Sequence, residues 1–144
     1  MKLVQKAPIK VVGVEVVADW DHLSRAMLTA WDAFLSRRGE IKNRVGEALM
    51  DISFKQEGTQ FTQVICSEVS TVETLPEGMV TLDIPAQWYV HHRHVGPVKA
   101  IPATFNEMID WAESNVHVTD GFKLDIGYTA RGQRAHDLYL RVLR

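Results

Sequence analysis

Residues 79–97, MVTLDIPAQWYVHHRHVGP, decide how this chain folds. β-branched and aromatic residues make the run extended, Pro85 marks a bulge or break within it, and Gly96-Pro97 ends it. Alternate side chains of a strand share a face, so His92 and His94 point one way while His91 and Arg93 point the other. Beyond it, Ile101, Phe105, Met108, Ile109 and Ala112 form the apolar stripe of a helix, in which Pro102 is tolerable only in the first turn. FKLDIGYTA (122–130) and HDLYLRVLR (136–144) then read as a hairpin around Arg131-Gly132-Gln133. The order is strand, helix, strand, strand.

The first half runs in the same order. PIKVVGVEVV (8–17) is a nearly continuous apolar strand. From His22 to Ile41, Leu23, Met27, Ala30, Trp31, Phe34 and Leu35 recur at helical spacing, with Asp19 or Asp21 to cap the start and Gly39 near the end. EALMDISFK (47–55) and FTQVICSEVST (61–71) follow as two strands joined at Gly58. LPEGM (75–79) connects pseudo-repeats at approximately 7–72 and 79–144 within one domain spanning 1–144. Each amphipathic helix needs an apolar sheet face to cover, so the expected class is α+β: an antiparallel sheet carrying two helices, with a cleft where the modules meet.

Composition narrows the function. The 144 residues are 46% apolar and 24% charged, which is globular. The formal charge of −2 gives no electrostatic case for nucleic acid, and both helices are needed on the sheet, which leaves no recognition helix. No run approaches the roughly 20 apolar residues of a membrane span, and MKLVQKAPIK is too polar for a cleaved leader. Cys66 is the single cysteine, which excludes an internal disulfide and fits a reducing, cytoplasmic setting. Three histidines in four positions suggest a metal, but zinc needs three or four ligands and His22, His117 and His136 are scattered. Neither a metal nor a catalytic set is expected. No P-loop, dinucleotide fingerprint or nucleophile elbow occurs, so no cofactor is expected.

Residues 75–98 also resemble the GyrI-like, AraC-type effector-binding domain family, a bacterial multidrug-sensing group. Its pattern of P-E-G-M, I-P-A, tyrosine and H-x-G-P is matched by Pro76 to Met79, Ile84 to Ala86, Tyr89, and His94 with Gly96 and Pro97. Trp111 and Ser114 look like the tryptophan and serine of its second helix. In the first half PIKVVGVEV resembles the opening strand, Trp31 and Phe34 the W-x-x-F helix, and ICSEV the G-x-E-V strand with Cys66 in place of glycine. His92 stands where the family usually has an aromatic residue, and His94 looks like its strand-end histidine.

The resemblance implies a tandem fold with a ligand cleft at the pseudo-twofold junction. In several members that cleft takes flat or hydrophobic cations between aromatic walls and a buried acid. The family's acid stands two places before a tyrosine, whereas LDIGY puts Asp125 three before Tyr128. Either a bulge at Gly127 restores the match or the acid is lost. The reading is thus a stand-alone binder of small aromatic, possibly cationic molecules, with Asp125, Tyr89, Trp111, Trp31, Phe34, Tyr128, Tyr139 and His92 as candidate ligand contacts. The bland reading sends Asp125 to solvent opposite Leu124 and Ile126, and puts the helix aromatics in the core. Two rivals stay open: a hydrolase of strained aromatic natural products using Asp125 or a histidine as base and a tyrosine as acid, and a protein inhibitor of a topoisomerase acting through its surface. A role in transcription would need a protein partner, and an exposed sheet edge would ease homodimerisation.

Overall fold

In the computed structural model, which describes residues 1–129 and 135–144, the extended lead of each half is broken at a proline. β1 (Lys2–Lys6) and β2 (Ile9–Asp19) flank Pro8; β5 (Val80–Ile84) and β6 (Gln87–His94) flank Pro85. Proline offers no N–H to a ladder, so at each break the chain leaves one neighbour and joins another. Between these leads come α1 (Trp20–Arg37), β3 (Arg44–Glu57) and β4 (Gln60–Val69), and after them α2 (Ile101–Ser114), β7 (Val118–Tyr128) and β8 (His136–Leu143). The turn expected around Arg131-Gly132-Gln133 lies outside the described residues.

All eight strands form one sheet in the order β1-β6-β8-β7-β3-β4-β2-β5, each neighbouring pair antiparallel. The order is symmetric about the β7–β3 seam, and the edge strands are exchanged. β1 leads into β2 yet pairs with β6, while β5 leads into β6 yet pairs with β2. β1 was not expected from the sequence. The helix bounds are corrected at both ends: Asp19 accepts from the His22 N–H at 3.1 Å as the N-cap, and α1 stops at Arg37, where a 3₁₀ turn containing Gly39 replaces the last turn.

Both helices lie on one face. α1 packs on β2 and β4, and α2 on β6, β7 and β8, which leaves the β3–β7 seam between them. Phe34 of α1 is buried in one cluster with Val12, Leu49 and Ile65 of the sheet, and Met108 of α2 in another with Val90, Leu138 and Leu140. The opposite face carries no described helix, yet Val11, Ile52, Val64, Cys66 and Leu124 there are 0% exposed. Ile9 and Ile84 from one end of the sheet and Tyr89 from the other join these central residues in one cluster. The sheet therefore curls over and covers its own face. Each large aliphatic side chain so enclosed contributes about 1.5–3 kcal/mol. No described helix is long and apolar enough to cross a membrane.

Candidate functional site

The site begins with strand register. Asp51 of β3 stands directly opposite Asp125 of β7. Asp51 also faces Ile65, which lies under α1, and Asp125 faces Leu138, which lies under α2, so both acids are on the helix-bearing face. One step further the ladder slips: Met50 pairs with Ile126 but Leu49 with Tyr128, which makes Gly127 the extra residue of a β-bulge. Its φ of 148° and its surroundings both suit glycine, because a Cβ would sit 2.9 Å from the Ala135 carbonyl oxygen and 3.0 Å from the His136 Cα. The bulge changes the parity of the strand. Tyr128 thereby joins Asp125 on one face, with its hydroxyl near the Asp125 carboxylate. Of the two alternatives that the LDIGY spacing left open, the bulge is the one present.

Asp125 is 5% exposed and His136 1% exposed, and His136 Nδ1–H donates to Asp125 Oδ1 at 2.6 Å. Burial pushes the Asp125 carboxyl up from the ordinary range, and the contacts to His136 and Tyr128 offset part of the rise. Asp51 is half-buried, with its Oδ1 closed off and without a partner among the described residues. Burial, reinforced by the charge of Asp125, pushes Asp51 up to about 7, while Lys123 pulls the other way. Burial in turn lowers the Lys123 ammonium and raises the Tyr128 hydroxyl. Gln63 Oε1, Ser67 Oγ and His136 Nε2 also lack partners among the described residues. Register places all of them on the helix-bearing face, since Gln63 faces Ser53, Ser67 faces Leu49 and His136 faces His94. Such a group of unsatisfied polar atoms is costly in a sealed core and useful at a binding site.

Aromatic rings complete the seam. The half-buried Trp31 indole lies 4.7 Å from the Tyr128 ring at 37°, and the buried Phe34 meets Trp31 edge-on at 6.2 Å. Tyr128 in turn meets the His136 ring edge-on at 4.5 Å.

The structure thus brings Asp125, Tyr128, Trp31 and Phe34 together and disperses the other candidates. Trp111 packs in the core of the second half and stacks on His117 at 6.1 Å. His92 is on the helix-bearing face of β6, opposite Leu138, and burial lowers its pKa. Tyr89 and Tyr139 lie on the other face from Asp125, edge to face at 5.6 Å, because the period of two that points Val90 and Leu140 at α2 turns them away. The rest of the histidine run is occupied structurally. His91 bonds Asp137 at 2.9 Å, and His94 is held between Thr104 and the Pro97 carbonyl. Among the described residues no group of three or more His, Cys, Asp or Glu side chains is arranged to hold a metal.

Two surface concavities lie elsewhere. One of about 530 Å³ is lined by Ile9, Glu68, Asp83 and Ile84; another of about 550 Å³ runs along α1 past Val16, His22, Arg25 and Ala30. Neither reaches Asp125, over which side chains close at the seam.

Sequence reasoning missed Asp51, Lys123 and His136. The signal for Asp51 was present: MDISF (50–54) and LDIGY (124–128) agree position by position as apolar, Asp, Ile, small, aromatic. The two acids are the same position of two like modules.

An eight-stranded antiparallel sheet under two helices, repeated about a central seam, is the α+β fold expected from the resemblance to GyrI-like effector-binding domains. The chain belongs to the Cass2 family of integron-associated effector binding proteins, whose sequence model matches residues 2–142. Three solved structures illustrate the likeness. SAV2435 bound to tetraphenylphosphonium superposes with a TM-score of 0.75 at 10% identity, covering 99% of this chain and 93% of that one. The C-terminal domain of EcmrR gives 0.71 at 14% identity, covering 99% and 96%. The integron cassette protein VCH_CASS2 from the mobile metagenome of Vibrio cholerae gives 0.67 at 12% identity, covering 99% and 95%. No curated protein matches the sequence significantly.

Proposed function

We propose that this effector-binding protein takes small aromatic organic cations at the seam between α1 and α2, with Asp125 as counter-charge and Trp31 and Tyr128 as walls. One observation carries the reading: a carboxylate 5% exposed, bonded by His136 and neighboured by Tyr128, whose ring lies against a half-buried indole. A desolvated carboxylate offsets the cost of bringing a cation out of water, and π faces attract the same charge. Because the acid lies under side chains, a guest displaces the Trp31–Tyr128 pair and takes its place against the apolar walls. Neither described helix is free to read DNA, since both pack on the sheet. The β1 and β5 edges are where a second copy would add.

Tetraphenylphosphonium, the ligand in the SAV2435 structure, suits the test because its charge is fixed. Ligand binding to the native state at 100 times Kd adds about 2.7 kcal/mol of stability, which a thermal melt reads directly. Wild type is expected to shift with tetraphenylphosphonium and not with neutral triphenylphosphine oxide. Asp125→Asn is expected to lose at least about tenfold in affinity, the equivalent of about 1.4 kcal/mol. Equal binding by the variant removes Asp125 from the site.

The Asp125–His136 pair is also the observation that favours the hydrolytic reading, since a carboxylate-oriented imidazole is a general base. Turnover of a strained aromatic epoxide by wild type and not by His136→Gln would replace the binder with an enzyme.

A further inference from the structure

A single buried acid would be enough to receive a cation, yet the seam holds two. Asp51 and Asp125 are cross-strand partners in an antiparallel ladder, a placement that brings Cβ atoms to roughly 4.5–5.5 Å. On one covered face, ionisation of either acid disfavours that of the other, and near neutrality the pair still holds part of a proton. The neighbours do not remove this need. On β7, Lys123 stands beside Asp51, but its ammonium lies over the Phe105 ring at 5.7 Å and is itself disfavoured by burial. Tyr128, also on β7, and His136 on β8 are both engaged with Asp125. On β6, His94 bears on Asp125 from further off, and His92 is coupled to Glu107 of α2. On β4, Cys66 feels the charge of Asp51 from the opposite face. Asp51 Oδ1 is left closed off with no partner among the described residues.

We propose that Asp51 is a second acid of the ligand site, and that an organic cation enters in exchange for the proton that Asp51 and Asp125 share. The proposal rests on the cation-binding reading of the same seam. The exchange balances. Empty, the pair is one carboxylic acid and one carboxylate, with charge −1. Filled, it is two carboxylates and one monocation, again −1, and the proton leaves to solvent. The buried charge is therefore the same empty and filled wherever the empty pair holds its proton. A neutral aromatic of the same shape displaces no proton. The half-protonated state near neutrality follows from the upward shift of Asp51 to about 7.

The test is calorimetry of tetraphenylphosphonium binding between pH 6 and 8.5, in buffers of different ionisation enthalpy. Wild type is expected to release close to one proton per cation at pH 6 and almost none at pH 8.5. Its affinity should rise by up to about tenfold per pH unit below pH 7 and then level off. Asp51→Asn, which keeps shape and removes the shared proton, is expected to bind without proton release and without pH dependence in this window. His136→Gln is expected to keep the release, at whatever affinity remains. Binding by wild type without release overturns the exchange and leaves the cation reading standing. No binding at any pH overturns both. Release that survives Asp51→Asn but disappears in His136→Gln transfers the proton to the imidazole and overturns the role of Asp51. If the asparagine variant does not fold, the wild-type count is read with His136→Gln: release that persists there supports Asp51, and release lost there overturns its role.

Discussion

A carboxylic acid that titrates near 7 in the native state and near 3.8 otherwise makes folding less favourable as the pH rises. Between those values the unfolded chain has released the proton of Asp51 while the native state still holds it, so stability falls through that window and is flat above it. Asp125, also raised by burial, adds a contribution of the same sign. Asp51→Asn removes the larger of these ionisations. In urea denaturation it is expected to be more stable than wild type by more than about 1.4 kcal/mol at pH 8, the equivalent of one pKa unit, with the difference gone by pH 4. An equal offset at both pH values would place Asp51 in water. Asp125 was legible in the sequence because it interrupts an apolar run, whereas Asp51, in the same pattern, was passed over for a physical reason. Alternation along a strand ordinarily sends such an acid to solvent, and only when one face is covered by helices and the other by the curl of the sheet does it lose most of its access to water.

Among the elements, β7 shows how one residue can set the site. Without the bulge, Tyr128 would point away from Asp125, and neither the hydroxyl contact nor the stack on Trp31 could form. Gly127→Ala meets the Ala135 carbonyl and the His136 backbone in addition to an unfavourable φ. It is expected to destabilise by about 1–3 kcal/mol and to weaken tetraphenylphosphonium binding. Gly46→Ala is the control, because Gly46 has a positive φ of 72° with nothing within 4 Å of the added Cβ. It should cost only the conformational part, roughly 1–2 kcal/mol, with binding intact. If both variants leave binding unchanged, the bulge does not aim Tyr128. The helices and most strands could be read from periodicity because their signals are local. β1 could not: KLVQK is short and half polar, and it is a strand because β6, far along the chain, offers it an edge. The same non-local cause split the run at Pro85 into two strands with different neighbours.

Across the whole molecule, exchange of the edge strands ties each module to the other, and the seam between them holds the charge that matters. The formal net charge is only −2, and several exposed acids are already paired, as Asp83 is with Lys10 and Glu47 with Arg38. Long-range attraction of a cation is therefore weak, and the site must rely on short-range contacts that water and salt do not reach. At physiological ionic strength the Debye length is about 8 Å, so added salt screens exposed charges and hardly touches a buried pair. Tetraphenylphosphonium affinity is accordingly expected to change by less than about threefold between 50 and 500 mM sodium chloride, measured at pH 8, where proton exchange no longer contributes. The surface concavity lined by Glu68 and Asp83 is the natural rival, since it also offers apolar walls and acids. A cation held there would be exposed to screening, and its affinity would fall steeply with salt and respond to Asp83→Asn instead of Asp125→Asn. The salt series and the two asparagine variants together locate the cation, because a surface acid and a seam acid differ in the one property salt measures, access to solvent.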